Sequence, residues 1–560
     1  MKSIIKMTVI GILAMMSTSC LDHEPESQLG GDKMWTSAED YNNFANMFYN
    51  WPADFSSRVR NGSQHCDGRS DIMYDKNSFD VYSNGTNAIP TSDGTYGGSY
   101  DKIRRCNLLL ENAENFSHRD DIAQNIGEAY FFRAYVYFDL LQVYGDVIIV
   151  DKTIDVDDAL MSAPRNDRSE VADFIIADLN NAIEYLKGFD AVPAGRISRE
   201  GAQAFLSRVA LYEGTWQKFR GNEARAHELL DIAAKSAKAV IDCRKFQLFK
   251  SDALGNSAYR YMFVLEDQQS NPANVTKSAN HEYIFSKCHD EVLKPIGFNI
   301  SYGHCANAAL VTQKFAALFL CQDGLPTHKS GMFQGYTDIK SEWNNRDNRM
   351  SQILMPPGAT AWCAGYKPQI KWDGTDAPQI SNFNPVDGSG YYTWKWVSER
   401  NVESGDEGFD YPVIRYAEVL LNYAEAVYER DGAISDDDLN RSLNLTRLRI
   451  NPTMPVLSNA FASANALDMR EEIRRERTIE LFDEGFRVDD LKRWKTAETE
   501  MPMNLLGSKF AQPTASRNHE GFLIVETGRQ WAEKNYLYPL PVDQVRLNPN
   551  LKQNPGWGEK

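Results

Sequence analysis

The sequence predicts an all-α protein of helical hairpins that carries a loop-rich, irregular lobe containing short strands. Long segments place apolar residues at three- and four-residue steps, and several of these segments close on a glycine. From about residue 271 to 400 that periodicity gives way to Gly, Pro, Asn and Trp, which reads as loops and short strands between helical parts.

Taken in order, residues 1–19 read as a secretory signal peptide. Lys2 and Lys6 precede an uncharged run from Met7 to Met16, too short to span a bilayer, and the small residues Ser17, Thr18 and Ser19 precede Cys20. A Cys directly after small residues is the pattern of a bacterial lipobox, although Ser17 stands where Leu is usual. Cys20 is therefore the expected lipidation site, with the mature chain anchored to a membrane rather than spanning it.

Four amphipathic helices follow. DIAQNIGEAYFFRAYVYFDLLQVYGD closes at Gly145, EVADFIIADLNNAIEYLKG at Gly188 and SREGAQAFLSRVALYEG at Gly214, the last from the N-cap candidate Ser198; EARAHELLDIAAKSAKAVID comes next. Two-helix units with small Ala positions facing bulky Phe and Tyr are how tetratricopeptide (TPR) repeats stack, so the hairpins are TPR-like. Within the 271–400 insert, YYTWKWVSE alternates Tyr392, Trp394 and Trp396 on one face, as a half-buried strand would. Helices return in VIRYAEVLLNYAEAVYERDG, DDLNRSLNLTRLRI and MREEIRRERTIELFDEGFRVDDLKRW. In the last, Glu476, Glu480 and Glu484 recur at four-residue spacing near Arg474, Arg475, Arg477 and Arg487, the pattern of an ion-paired helix surface. The expected organisation is a signal peptide at 1–19, a helical region at 20–270, the insert at 271–400 and a C-terminal helical region at 401–560, fused in one globule.

Composition excludes several functions. Of 560 residues 42% are hydrophobic, enough for a sizeable core, and the formal charge of −17 becomes −19 once Lys2 and Lys6 are removed. Such acidity excludes a nucleic-acid partner, which needs a basic face. Eight cysteines contain no CxxC pair and nine histidines show no metal-ligand spacing, so no metal site is expected. The Asp-rich pieces DVDD and SDDD leave a structural calcium as the only candidate cofactor; they lack the spacing of a calcium loop and read as helix starts. No HExxH, GxSxG or GxxxxGK[ST] motif occurs.

GEAYFFRAYVYFDLLQVYGD, GRISREGAQAFLSRVALYEGTW, NRDNRM, YPVIRYAEVLLNYAEA, RRERTIELFDEGFRVDDLKRW and YLYPLPVDQVRLNPNLKQNPGW resemble, in order, the signature segments of the SusD/RagB family. The resemblance implies an all-α body of four TPR hairpins with a loop-rich lobe. It implies a non-catalytic lipoprotein, lipid-anchored on the outer membrane at the cell surface, that captures oligosaccharides and acts as lid on a SusC-like TonB-dependent transporter. Asp22, Glu24 and Glu26 after Cys20 match the acidic stretch that accompanies surface display in the family. Some relatives capture peptides instead.

A glycan site needs flat rings open to water, because sugars present a face of C–H groups that an aromatic ring covers without demanding hydrogen bonds. In AWCAGYKPQIKWDG, Trp362, Tyr366 and Trp372 fit neither a helix stripe nor a strand alternation and are stacking candidates, with Lys367, Lys371 and Asp373 as polar neighbours. HCDGRSDIMYD contributes Arg69 and Tyr74, TSDGTYGGSYDKIRRCN contributes Tyr96 where relatives often carry Trp, and GFNISYGHCAN contributes Tyr302 beside Phe298 and His304. Peptide capture would favour a deep groove with backbone partners over exposed rings. A lipid-anchored glycoside hydrolase would need two carboxyls across a cleft, and no segment places such a pair in a recognisable setting.

Overall fold

The computed structural model describes residues 34–59, 63–75, 80–267, 270–305, 309–359, 387–398 and 405–558, apart from the side chains of Tyr302 and Cys305. Cys20 and its leader lie outside the described residues, as do Trp362, Tyr366 and Trp372.

The principal helices are α1 Ala38–Asn46, α2 Gly94–Glu114, α3 Ala123–Tyr144, α4 Arg168–Tyr185, α5 Arg199–Lys218 and α6 Glu223–Asp242. Later in the chain come α7 Ile300–Cys305, α8 Tyr416–Asp431, α9 Met469–Glu480 and α10 Arg487–Arg493. Helix dominates, and no strand among the described residues exceeds five residues, so the all-α class holds.

Helix α3 packs on α4 and α5 on α6, and α8 lies across α6. Because Phe, Tyr, Leu and Val occur all round it, α3 is buried on nearly every side and forms the spine of the core. Gly145, at φ +76°, ends it in a conformation that a Cβ would strain. Two glycine stops fall elsewhere. Helix α4 ends at Tyr185, short of Gly188, while α5 runs past Gly214 to Lys218. Gly214 instead allows close approach of helices, since a Cβ there would sit 2.9 Å from Leu230 Cγ on α6.

Of six short strands among the described residues, four lie near the loop-rich lobe: β1 Met73–Asp75, β2 Tyr283–Lys287, β3 Ala309–Val311 and β4 Tyr411–Arg415. They form two antiparallel pairs, β1 with β3 and β2 with β4, with Tyr74 opposite Leu310. The run YYTWKWVSE is not the half-buried strand that its alternation predicts. Tyr392 and Thr393 form only isolated bridges, to Leu310 and Leu354, and Tyr391, Tyr392, Trp394 and Trp396 are all buried. Both faces of the run are covered, so alternation carries no exposure signal here.

The segment RRERTIELFDEGFRVDDLKRW also departs from expectation. It breaks between α9 and α10, where Asp483 (φ +59°) and Gly485 (φ +75°) turn the chain. Its acids are buried rather than on a surface. Arg349 donates to Glu476 at 2.6 Å and to Glu480 at 3.1 Å. Arg415 binds Glu480 at 2.9 Å and Glu484 at 2.8 Å, Arg449 binds Glu480 at 2.6 Å, and Lys395 binds Glu484 at 2.6 Å. Burial opposes ionisation of Glu480, but these guanidiniums hold its carboxyl well below the ordinary range. None of these partners comes from the same helix, which is why spacing along it missed them.

The C-terminal tail wraps back over α3. Tyr538 N–H donates to Val143 O at 2.8 Å, Asn554 Nδ2 to Tyr144 O at 2.9 Å, and Trp557 Nε1 to Leu537 O at 3.0 Å.

Candidate functional site

Two of the sequence stretches singled out for ligand binding meet in one cleft of about 440 Å³, within the roughly 300–1,000 Å³ usual for small-molecule sites. One wall is β1 with Tyr74 and Asp75, and the opposite wall is Phe298, Asn299 and the start of α7. Cys66, Gly68, His304 and Ser56 close it.

Both walls are pinned from behind. Asp67, buried in the turn before β1, accepts the backbone N–H of Asp483 at 2.7 Å and of Arg487 at 3.0 Å. Burial, then the Asp483 charge, raises its carboxyl to about 7. Asp71 receives both arms of the Arg487 guanidinium, at 2.8 and 2.7 Å. Burial opposes its ionisation, yet Arg487 and Lys314 hold its carboxyl far below the ordinary range. On the other wall, Glu407 accepts the N–H groups of Ile300 at 2.6 Å and Ser301 at 3.1 Å, capping the start of α7. His304 is held at 3.0 Å from both Asp483 Oδ2 and Ile300 O. Burial disfavours its charge, but the Asp483 carboxylate raises its pKa above the ordinary imidazole value. The bend at Asp483 thus ties both walls to the helical body.

The lining suits a neutral, partly apolar ligand. Phe298 is half-buried and offers part of a ring, whereas Tyr74, 8% exposed, belongs to a buried cluster with Leu310, Met355, Tyr392 and Trp394 and lines the cleft without being the open stacking ring expected of it. Burial pushes the Tyr74 phenol up and raises the Cys66 thiol to about 12, so both stay protonated and the thiol is no nucleophile. Asp75 is the only carboxylate among the described lining residues, and Asn299 adds an amide at the rim.

The remaining candidates sit elsewhere. Tyr96 is 2% exposed, its ring 5.3 Å from Tyr100 and 5.1 Å from Tyr144; it is a core residue and not an open stacking ring. Residue 96 lies in the first turn of α2, on the face that meets α3, and that burial overrides its place in a Gly-rich loop motif. Arg69 is committed within the fold: Nη1 donates to Tyr538 OH at 2.8 Å, Nε lies 3.4 Å from Asp80, and the guanidinium covers the Tyr82 ring at 5.2 Å. Tyr302 belongs to α7, with its side chain outside the described residues, as Trp362, Tyr366 and Trp372 are entirely. Ser56 and Asn299 were not foreseen; Asn299 stood in a quoted loop, whereas Ser56 carries no sequence signal.

A larger cavity of about 610 Å³ lies beside β2. Its cations are already paired, Arg196 with Glu128 at 2.7 Å and Lys277 with Asp410 at 3.0 Å, and no candidate residue lines it. No described helix is long and apolar enough to cross a membrane.

Comparison with known proteins places the fold. Residues 264–557 match the family model described as the SusD family, and residues 20–211 match one described as starch-binding associating with outer membrane. The chain is 25% identical over 477 residues to SusD-like protein P2 of Formosa agariphila, covering 82% of this chain and 79% of that one. Among solved structures, it resembles a SusD-like carbohydrate binding protein of Bacteroides fragilis at TM-score 0.72 and 20% identity, over 93% of this chain and all (100%) of the other. A second SusD-like protein of that organism gives TM-score 0.70 at 23% identity, over 95% and 100% of the two chains. At such identities the two structures establish the fold. With a family model spanning more than half of its residues, this chain belongs to the SusD family.

Proposed function

We propose that this protein captures oligosaccharides at the cell surface, anchored through Cys20, and delivers them to a SusC-like TonB-dependent transporter. The cleft in which Tyr74 and Phe298 converge carries the reading: the half-buried Phe298 ring for a sugar face, the buried Tyr74 as the wall behind it, and Asp75 and Asn299 in the same lining for hydroxyls. Printed descriptions of the matched family and of the first Bacteroides fragilis neighbour support a carbohydrate ligand. Capture proceeds without bond cleavage, in keeping with the descriptions of the matched family and the first neighbour, which name binding. Trp362, Tyr366 and Trp372 belong to the proposal as further stacking rings.

Incubation of the purified protein with oligosaccharide and peptide panels tests it. Retention of an oligosaccharide without new reducing ends is the expected result. Released reducing ends, or retention of peptides alone, would overturn it.

A further inference from the structure

Ser56 lines a second depression as well, of about 330 Å³, on the far side of the segment that leads to β1. Thr95, Ser99 and Lys102 form one wall, spaced by four and three residues so that they share one face of α2. Arg58 and His65 face them, Asp139 of α3 closes the base, and the half-buried Trp51, its ring 4.8 Å from that of Phe48, stands at the rim.

The charges of this depression do not cancel. His65 sits between two carboxylates, with Nδ1 2.6 Å from Asp489 Oδ2 and Nε2 3.0 Å from Asp139 Oδ1, the latter contact ionic rather than well aligned. Burial and Arg58 oppose its protonation, but the flanking carboxylates outweigh them and raise its pKa. Arg58 lies 4.0 Å from Asp139 and 3.9 Å from Asp489 and donates to Gly485 O at 3.3 Å. These two carboxylates are thus contacted by Arg58 and His65, with Lys492 a further 3.9 Å from Asp489. Lys102 is a cation beyond them: its charge acts on Asp139 at longer range, and with no described residue does it form an ion pair within 4.0 Å or a hydrogen bond. A chain of formal charge −17 thus carries an uncommitted ammonium in a hydroxyl-lined hollow that adjoins its candidate sugar cleft.

We propose that this depression is a subsite for an anionic sugar residue, whose uronate carboxylate or sulfate ester meets Lys102 while the next residue of the same chain occupies the Tyr74–Phe298 cleft. The ligand class is then an acidic oligosaccharide. The inference rests on the capture reading and narrows it. Trp51 offers a ring face to the anionic residue, and Thr95 and Gln64, which share the lining with Lys102, are available for its hydroxyls.

Calorimetric titration of the mature chain at low salt tests this with two matched pairs: oligogalacturonate against its carboxyl-reduced form, and carrageenan oligosaccharide against its desulfated form. The acidic member of at least one pair is expected to bind roughly tenfold tighter than its neutral counterpart, and the pair that responds separates carboxylate from sulfate. Raising the salt concentration and Lys102→Ala should each erase the preference, and Lys102→Arg should keep it. Equal affinity within both pairs, or a preference that survives Lys102→Ala, overturns the subsite and leaves capture standing. Binding of no oligosaccharide, charged or neutral, overturns both.

Discussion

At the residue scale, Phe298 and His65 separate recognition from stability. Phe298 is half-buried at the cleft wall, so Phe298→Ala removes a stacking face worth about 0.5–1.5 kcal/mol. Calorimetry should register that loss of glycan affinity while the thermal unfolding midpoint barely moves. A large drop in the midpoint would instead show the ring to be core. His65 and His304 carry raised pKa values through contacts with Asp489, Asp139 and Asp483. A raised folded-state value stabilises fully below the ordinary imidazole value of 6.5 and is lost as pH climbs through the folded values. Unfolding free energy should therefore fall as pH climbs above the ordinary imidazole value of 6.5, and His65→Gln should flatten part of that slope in denaturant titrations. An unchanged slope would show that the pKa of His65 does not shift on folding.

At the element scale, the cleft exists because the turn before β1 is bolted to the bend between α9 and α10. Asp71 is buried and the Arg487 side chain only 10% exposed, and removing one partner of such a pair costs about 3–5 kcal/mol because the other charge stays behind. Arg487→Met should show this in urea unfolding, with glycan binding weakened in parallel as the Tyr74 wall loosens. Gly214→Val should cost about 1–3 kcal/mol by pushing α5 off α6 at Leu230. The helices themselves were legible from the sequence, because three- and four-residue periodicity survives burial. Their ends were less so: Gly214 looks like a stop yet is a contact, and the α9–α10 break depends on Asp483 adopting a positive φ that its residue type does not announce. Tyr96 and the YYTWKWVSE run show the same limit, since a ring in a Gly-rich or alternating stretch is indistinguishable from a core ring until its neighbours are placed. The convergence of Tyr74 with Phe298 was half legible: each stretch was singled out by its aromatics, but only the β1–β3 pairing brings them to one cleft.

At the scale of the whole molecule, the helical body acts as a rigid mount and the loop-rich lobe as the sampling surface. Long-range ties such as Arg415 to Glu484, Tyr538 to Val143 and Asp67 to Asp483 connect segments from 69 to 416 residues apart, so the cleft walls are fixed before a ligand arrives. A preformed surface suits capture and hand-over, since little ordering entropy is lost on binding. The most direct measurement is a crystal structure with an oligosaccharide that the protein retains. The account predicts an intact sugar ring lying against Phe298 and Tyr74, with hydroxyls turned toward Asp75 and Asn299. A ligand seated away from these residues, or a cleaved one within the cleft, would contradict it.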